Sequence, residues 1–245
     1  MTRSLTRIAN GLKHIFPSLG RGLGVGLFLL CLFSCLNVEY NYDPYDDWQN
    51  KNSQWFSTVA DSARTAINEA KKQWGDDWEN HCEWRMYKRW DQSQEYNTGR
   101  TDDSICVRIN HRGIGSESPT WSDTIRFSYR GWLMPTTYEV YNADNELVDS
   151  VMQEVFDQTY YGVFDQATAA PVLSGVSASF VVGFSTALQY MVEGDDWDVY
   201  IPERLAYGEN KRDAVPAYST LLFRINLAAI YPCNSGVPVW KARRR

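Results

Sequence analysis

Histidine and cysteine are scarce in this chain, with three of the former and five of the latter among 245 residues. No two cysteines stand at C-x-x-C spacing, and His81-Cys82 has no second ligand pair nearby. Zinc binding and dithiol redox chemistry therefore lack their usual scaffolds, and no metal or other cofactor is expected. Also missing are the G-x-S-x-G turn of hydrolases, the P-loop, the H-E-x-x-H helix, and a G-x-G-x-x-G turn following a strand. Asp195, Asp196 and Asp198 cluster without EF-hand spacing or its glycine, so they read as a solvated turn. Positive charge is in deficit: the formal charge is −6. Four of the cations, Arg3, Arg7, Lys13 and Arg21, lie in the first 34 residues, which hold no acid. The remainder is more acidic still, which argues against a nucleic-acid partner. The apolar stretch Leu23 to Phe33 is too short for a comfortable membrane span. No internal repeat is evident.

What is present begins with the layout of a secretory signal: a basic stretch to Arg21, an apolar core, then Ser34-Cys35. Leu32-Phe33-Ser34-Cys35 is similar to a bacterial lipobox, which implies a signal over 1–34 and lipidation of Cys35. Leu30 before Cys31 is too large for that residue to compete. The expectation is a protein of the cell envelope, held to a membrane by a lipid. With Cys31 removed and Cys35 modified, Cys82, Cys106 and Cys233 remain, enough for one disulfide and one free thiol in an oxidising compartment.

Leu36 to Asp47 reads as a polar tether. Trp55, Val59, Ala63, Ala66, Ile67, Ala70 and Trp74 then recur at helical spacing over Ser53 to Trp74, with Gly75 as a stop. Such a stripe either packs on its own domain or serves dimerisation and partner binding. Tether and helix make up an N-terminal extension over 35–99. Within it Trp78, Trp84, Tyr87 and Trp90 crowd together around a short alternating stretch, a possible strand. These aromatics fill core or, on a second reading, offer a platform for sugars. From Ser104 the pattern is β: Ile105, Val107 and Ile109 alternate with polar residues, as does Thr124 to Gly131, and Val199 to Ile201 and Leu221 to Ile230 follow. One helical spacing, Gly183 to Met191, interrupts them. The fold class is α+β, a short helix on one face of an antiparallel sheet. A basic tail over 233–245 ends the chain, four of its last five residues being Lys or Arg.

Five ordered segments carry a resemblance to a family. Phe127-Ser128-Tyr129-Arg130-Gly131 resembles V-x-Y-x-G. Val155-Phe156-Asp157-Gln158-Thr159 resembles K-F-D-S-S, with Leu147-Val148-Asp149 as a rival match. Gly183 to Met191 resembles G-W-x-x-(A/G)-(L/V)-x-x-M, followed by Gly194-Asp195 at the expected distance. Tyr200 to Gly208 resembles I-P-x-x-L-A-Y-G, and Pro216 to Phe223 resembles I-P-P-(N/H)-(A/S)-T-L-(V/I)-F. Together they resemble the FKBP-type peptidyl-prolyl cis-trans isomerase family. The resemblance implies an FKBP-like domain over 100–232, an antiparallel sheet of five to six strands wrapped on the short helix.

It also implies isomerisation of Xaa-Pro bonds in unfolded or nascent exported proteins. Tyr129, Phe156, Phe184 and Phe223 would line the proline pocket. Val181 would give a wall and a backbone N–H, Tyr207 a hydroxyl over the cleft, and Asp157 a polar rim. Phe180 and Val215 would flank the substrate. Gly208 would supply a turn over the pocket and Gly194 a left-handed helix end. Phe184 stands where the family has Trp, the stretch from Gly131 to Phe156 is longer than usual, and the loop after Gly208 is charged. Two other functions remain open: a weakly active FKBP-like binding module or chaperone, and a glycan-binding surface lipoprotein using the Trp78–Trp90 aromatics.

Overall fold

The computed structural model describes Asp43 and residues 45–94, 99–141, 143–144, 146–166, 169–178 and 180–240. The signal, Cys31, Cys35 and most of the tether lie outside the described residues, as do the last five residues of the basic tail. The described part falls within one compact unit, residues 42–245.

Helix α1 runs from Trp48 to Trp74, a turn and a half earlier than its apolar spacing suggests, and Gly75 ends it at φ 56°. After a 3-10 turn and the four-residue α2 (Trp78–His81) comes strand β1 (Trp84–Lys88). The remaining elements are β2 (Ser104–His111), β3 (Thr124–Trp132), β4 (Thr136–Tyr141), β5 (Leu147–Met152), β6 (Val155–Gln158), β7 (Val172–Gly175), α3 (Val182–Leu188), β8 (Asp196–Ile201) and β9 (Leu221–Tyr231). The architecture is α+β, with an antiparallel sheet ordered β1-β2-β8-β9-β3-β6 and β7 also paired to β3. Its seven strands include one more than the upper expectation. The surplus is β1: a strand inside the N-terminal extension pairs with β2 and belongs to the main sheet. β4 and β5 form a separate two-stranded arm.

Alternation along the strands divides the side chains between two layers. On the inner face Ile105, Val107, Phe127, Val199, Ile201, Ile225 and Leu227 gather around Phe184, Ala187 and Leu188 of α3. Gly183 lets α3 come this close, since a Cβ there would stand 2.3 Å from the Ile201 side chain. On the outer face α1 lies across β1, β2 and β8. Phe56, Ala60 and Ala63 cover Cys106, Trp84, Met86 and Tyr200, while Ile67 and Ala70 meet Cys82. The small Ala60 and Ala63, with no exposed surface, let the helix sit close to the sheet. Much of α1's apolar stripe is therefore covered by its own domain.

Several expectations change. α3 ends at Leu188 with Gln189 in a right-handed cap, so Gly194 does not terminate it. Gly194, at φ 95°, serves the turn into β8, where its backbone passes against Gly113. Asp195 is buried rather than solvated: its carboxylate accepts the N–H groups of Gly113 and Val192 at 2.8 and 2.7 Å. Such fixed donors offset the cost of burying a charge. Asp196 is paired with Arg224 through two oxygens. Cys82, Cys106 and Cys233 are all unpaired. Residues 233–240 continue past β9, with the Cys233 N–H on Asp123 and the Arg126 guanidinium beside the Tyr231 and Trp240 rings.

Candidate functional site

The site grows from one face of β3. Phe127, Tyr129 and Gly131 point to the inner layer, and β9 brings Phe223 opposite Gly131. On the other side of β3, β6 sets Asp157 opposite Gly131, with Phe156 adjoining. α3 raises Phe184 from below. Phe223 meets Phe156 edge-on at 5.4 Å and Phe184 edge-on at 5.0 Å between ring centroids. Tyr129 stands 5.7 Å from Phe184, and Phe180 5.0 Å from it. Edge-to-face contacts of this kind match the charge distribution of the rings and hold them in a fixed nest. Phe184 and Phe223 are buried and form its floor. Tyr129, Phe156, Phe180 and Val181 are half-buried and form its walls.

Polar groups sit at the rim. The Tyr129 hydroxyl donates to Asp157 Oδ2 at 2.7 Å. Burial, then that hydrogen bond and the Asp157 charge, hold the Tyr129 phenol well above its ordinary pKa. Burial, and next the Asp157 charge, raise Tyr207 too. Both hydroxyls stay protonated at neutral pH and can donate. Tyr207 follows the 3-10 turn Glu203–Leu205, and Gly208 turns the chain at φ 59° behind it. Val215 is buried in the main core and supports the rim from beneath. Val181 is the N-cap of α3, with extended backbone.

The structure thus gathers Tyr129, Phe156, Asp157, Phe180, Val181, Phe184, Tyr207, Val215 and Phe223 in one region. It separates the two rival matches, because Leu147–Asp149 lies on β5 of the detached arm and Phe156-Asp157 on β6 beside Tyr129. Two contributors escaped the sequence reading. Phe127, almost fully buried, packs on Tyr129, Phe180 and Phe184, and its place two residues before Tyr129 on a strand was the available signal. Thr159 latches β6 to β3: its hydroxyl takes the Tyr129 N–H at 2.8 Å, and its N–H reaches the Tyr129 carbonyl at 2.9 Å.

Most of the Trp78–Trp90 aromatics are spent on packing, while Trp90 stays exposed and stacks on the exposed Trp121 at 4.5 Å. Trp84 and Met86 lie under α1, Tyr87 stacks on Tyr190 at 4.0 Å, and Trp78 is flanked by Lys71 and Arg85. His81 stacks on Trp74 and pairs with Asp77. Among the described residues no group of three His, Cys, Asp or Glu side chains is arranged to hold a metal, and no helix is long and apolar enough to cross a membrane.

Comparison with known proteins fits this geometry. Residues 115–228 match the family model described as FKBP-type peptidyl-prolyl cis-trans isomerase. Over these residues, a little under half of its length, the chain is similar to the FKBP-type family. Relatives include the FKBP-type 22 kDa peptidyl-prolyl cis-trans isomerase of Escherichia coli, 29% identical over 53% of this chain and 52% of that one. The peptidyl-prolyl cis-trans isomerase Mip of Coxiella burnetii is 29% identical over 51% of this chain and 44% of its own length. An outer membrane protein MIP of Legionella longbeachae is 28% identical over the same shares. The chain spans about half the length of these curated relatives. Among solved structures, FkpA from Escherichia coli superposes with a TM-score of 0.40 at 19% identity, over 77% of this chain and 71% of that one. A peptidyl-prolyl cis-trans isomerase from Pseudomonas syringae pv. tomato gives 0.39 at 20%, over 71% and 95%. The FKBP-type match contains every residue of the aromatic nest.

Proposed function

We propose that this protein is a peptidyl-prolyl cis-trans isomerase that assists the folding of exported polypeptides. The observation that carries the reading is the Tyr129–Asp157 hydrogen bond at the rim of the Phe156, Phe184 and Phe223 nest, within an FKBP-type segment. Rotation about an Xaa-Pro bond faces a barrier of about 18–20 kcal/mol, set by amide resonance. The twisted amide loses that resonance and its charge separation. A water-poor aromatic cleft therefore suits the twisted state better than the planar one. No nucleophile or cofactor is required.

In this mechanism Phe184 and Phe223 receive the proline ring. Tyr129, Phe156 and Phe180 wall it off from water. The Val181 N–H and the Tyr207 hydroxyl hold substrate carbonyls, and Asp157 fixes the Tyr129 hydroxyl and faces the twisting amide. Phe184, smaller than the family's Trp, suits a deeper floor. The test is magnetisation-exchange NMR on Xaa-Pro peptides with the full chain. Acceleration above the uncatalysed rate is expected, and its absence at stoichiometric protein would end the reading. Tyr207→Phe should lower kcat/KM about tenfold, the worth of one well-placed hydrogen bond. Phe223→Ala should lower it further, because it opens the floor.

The setting we propose is the cell envelope, with Cys35 lipidated after cleavage of 1–34. The lipobox-like Leu32 to Cys35 and the basic, acid-free leader support this. Incorporation of a labelled fatty acid that is lost in Cys35→Ser would bear it out. An intact leader on the mature protein, seen by mass spectrometry, would exclude it.

A further inference from the structure

The FKBP-type match begins at residue 115, and α1 lies wholly before it. Yet the first two turns of α1 grip the loop behind the pocket. Segment 216–220, between Val215 and β9, is neither helix nor strand, so its backbone groups need partners from elsewhere. The Trp48 indole N–H donates to Ser219 Oγ at 2.9 Å, and the Ser219 hydroxyl donates on to the Pro216 carbonyl at 2.7 Å. The Asn52 amide oxygen accepts the Thr220 N–H at 2.8 Å, and the Thr220 hydroxyl reaches the Asn52 carbonyl at 3.4 Å. The Asn52 amide nitrogen donates to the Trp48 carbonyl at 2.8 Å, tying the two grips together. Asn52 is 1% exposed and Trp48 7%.

The gripped loop is strained and touches the rim. Tyr218 sits at φ 60°, in the left-handed region that a bulky side chain disfavours. Such conformers persist where their surroundings over-determine them. The Tyr218 N–H donates to the Gly208 carbonyl at 2.7 Å, one residue after Tyr207. On its other flank Val215 and Arg212 exchange backbone hydrogen bonds. One continuous set of bonds therefore links α1 to the Tyr207 and Val215 rim.

We propose that Trp48 and Asn52 are positioning residues for the isomerase site: through Ser219 and Thr220 they hold loop 216–220, and with it the rim that presents Tyr207. The inference rests on the isomerase reading. Neither residue touches substrate. A purely structural α1 would stabilise the fold without setting the rate.

The experiment uses the full chain at a temperature where circular dichroism finds every variant folded. Trp48→Phe keeps an aromatic, though smaller, ring and deletes the donor, Ser219→Ala deletes its acceptor, and Asn52→Ala removes the second grip. Ile67→Ala loosens the far end of α1 against Cys82 as a control. Trp48→Phe and Ser219→Ala should each lower kcat/KM about fivefold, roughly one net hydrogen bond. The double variant should be no slower than Ser219→Ala alone, since both break the same bond. Ile67→Ala should lower the melting temperature and leave kcat/KM unchanged. Wild-type kcat/KM in folded Trp48→Phe and Asn52→Ala overturns the proposal, as does an equal loss in Ile67→Ala. If the wild-type chain is inactive, the isomerase reading falls, and amide exchange decides the positioning. Lost protection at Thr220 and Tyr218 in Asn52→Ala, but not in Ile67→Ala, upholds the grip; unchanged protection refutes it.

Discussion

Gly131 sits where two rings of the nest converge. A methyl group on it would stand 2.7 Å from the Phe156 ring and 2.8 Å from the Phe223 ring. Glycine is required here for space, since its backbone is that of an ordinary strand. Gly131→Ala should push both rings outward at a cost of about 1–3 kcal/mol, typical of overpacking. The isomerase activity proposed for the nest should fall with it, and a urea titration beside the peptide assay would measure both. Asp198, on the outer sheet face, poses a different problem. Burial raises its carboxyl above the ordinary value, although hydrogen bonding from Asn110 and the Arg224 charge partly offset this. A carboxyl with a raised folded-state pKa favours folding when protonated, and that advantage fades as the pH climbs through the folded value. At neutral pH its charge is therefore a liability. Asp198→Asn should raise the melting temperature at pH 7 and lose that benefit near pH 3. Equal melting temperatures at both pH values would mean that Asn110 and Arg224 fully compensate the charge.

Among the elements, α1 and the β4–β5 arm are opposites. α1 lies on the sheet through small residues, so enlarging one should lift it. Ala60→Leu is expected to cost about 1–3 kcal/mol by overpacking, read from the shift in the urea midpoint. The arm has Val151 and Met152 exposed, and an isolated two-stranded hairpin adds little stability in water. Replacing 136–152 with a short turn should leave the melting temperature within a few degrees of the parent. A large drop would show that the arm braces the sheet. These elements also mark how far the sequence could be read. Alternation exposed β2, β3, β8 and β9, and helical spacing exposed α1, because a half-buried strand and a one-sided helix each imprint their period. The nest residues were legible through family motifs rather than through pattern, since Phe156, Phe184 and Phe223 taken singly look like any core aromatic. Choosing between Asp149 and Asp157 needed to know which strand pairs with β3. Trp48 and Asn52 left no local trace at all: their partners lie 171 and 168 residues away.

For the molecule as a whole, its response to base follows from what is buried. Burial pushes Tyr87 up to about 12, and Tyr129, Tyr200 and Tyr207 also lie above their ordinary values. Cys106, pressed between the sheet and α1, is likewise pushed up to about 12 by burial. In the unfolded chain these groups ionise near their ordinary values of 10.0 for Tyr and 9.0 for Cys. Their folded pKa values are raised, so the stability they contribute is complete below about pH 9 and drains away as the pH climbs toward 12. Denaturant midpoints should therefore be level from pH 7 to 9 and fall steeply by pH 11. A midpoint unchanged at pH 11 would contradict the burial of these groups. The Cys106 thiol has a last consequence. With no exposed surface, it cannot meet a thiol reagent while α1 stays down, whereas Cys233 is open to it. The slow phase of Cys106 labelling is then a stopwatch for the lift-off of a single helix, kept by an atom the protein already carries.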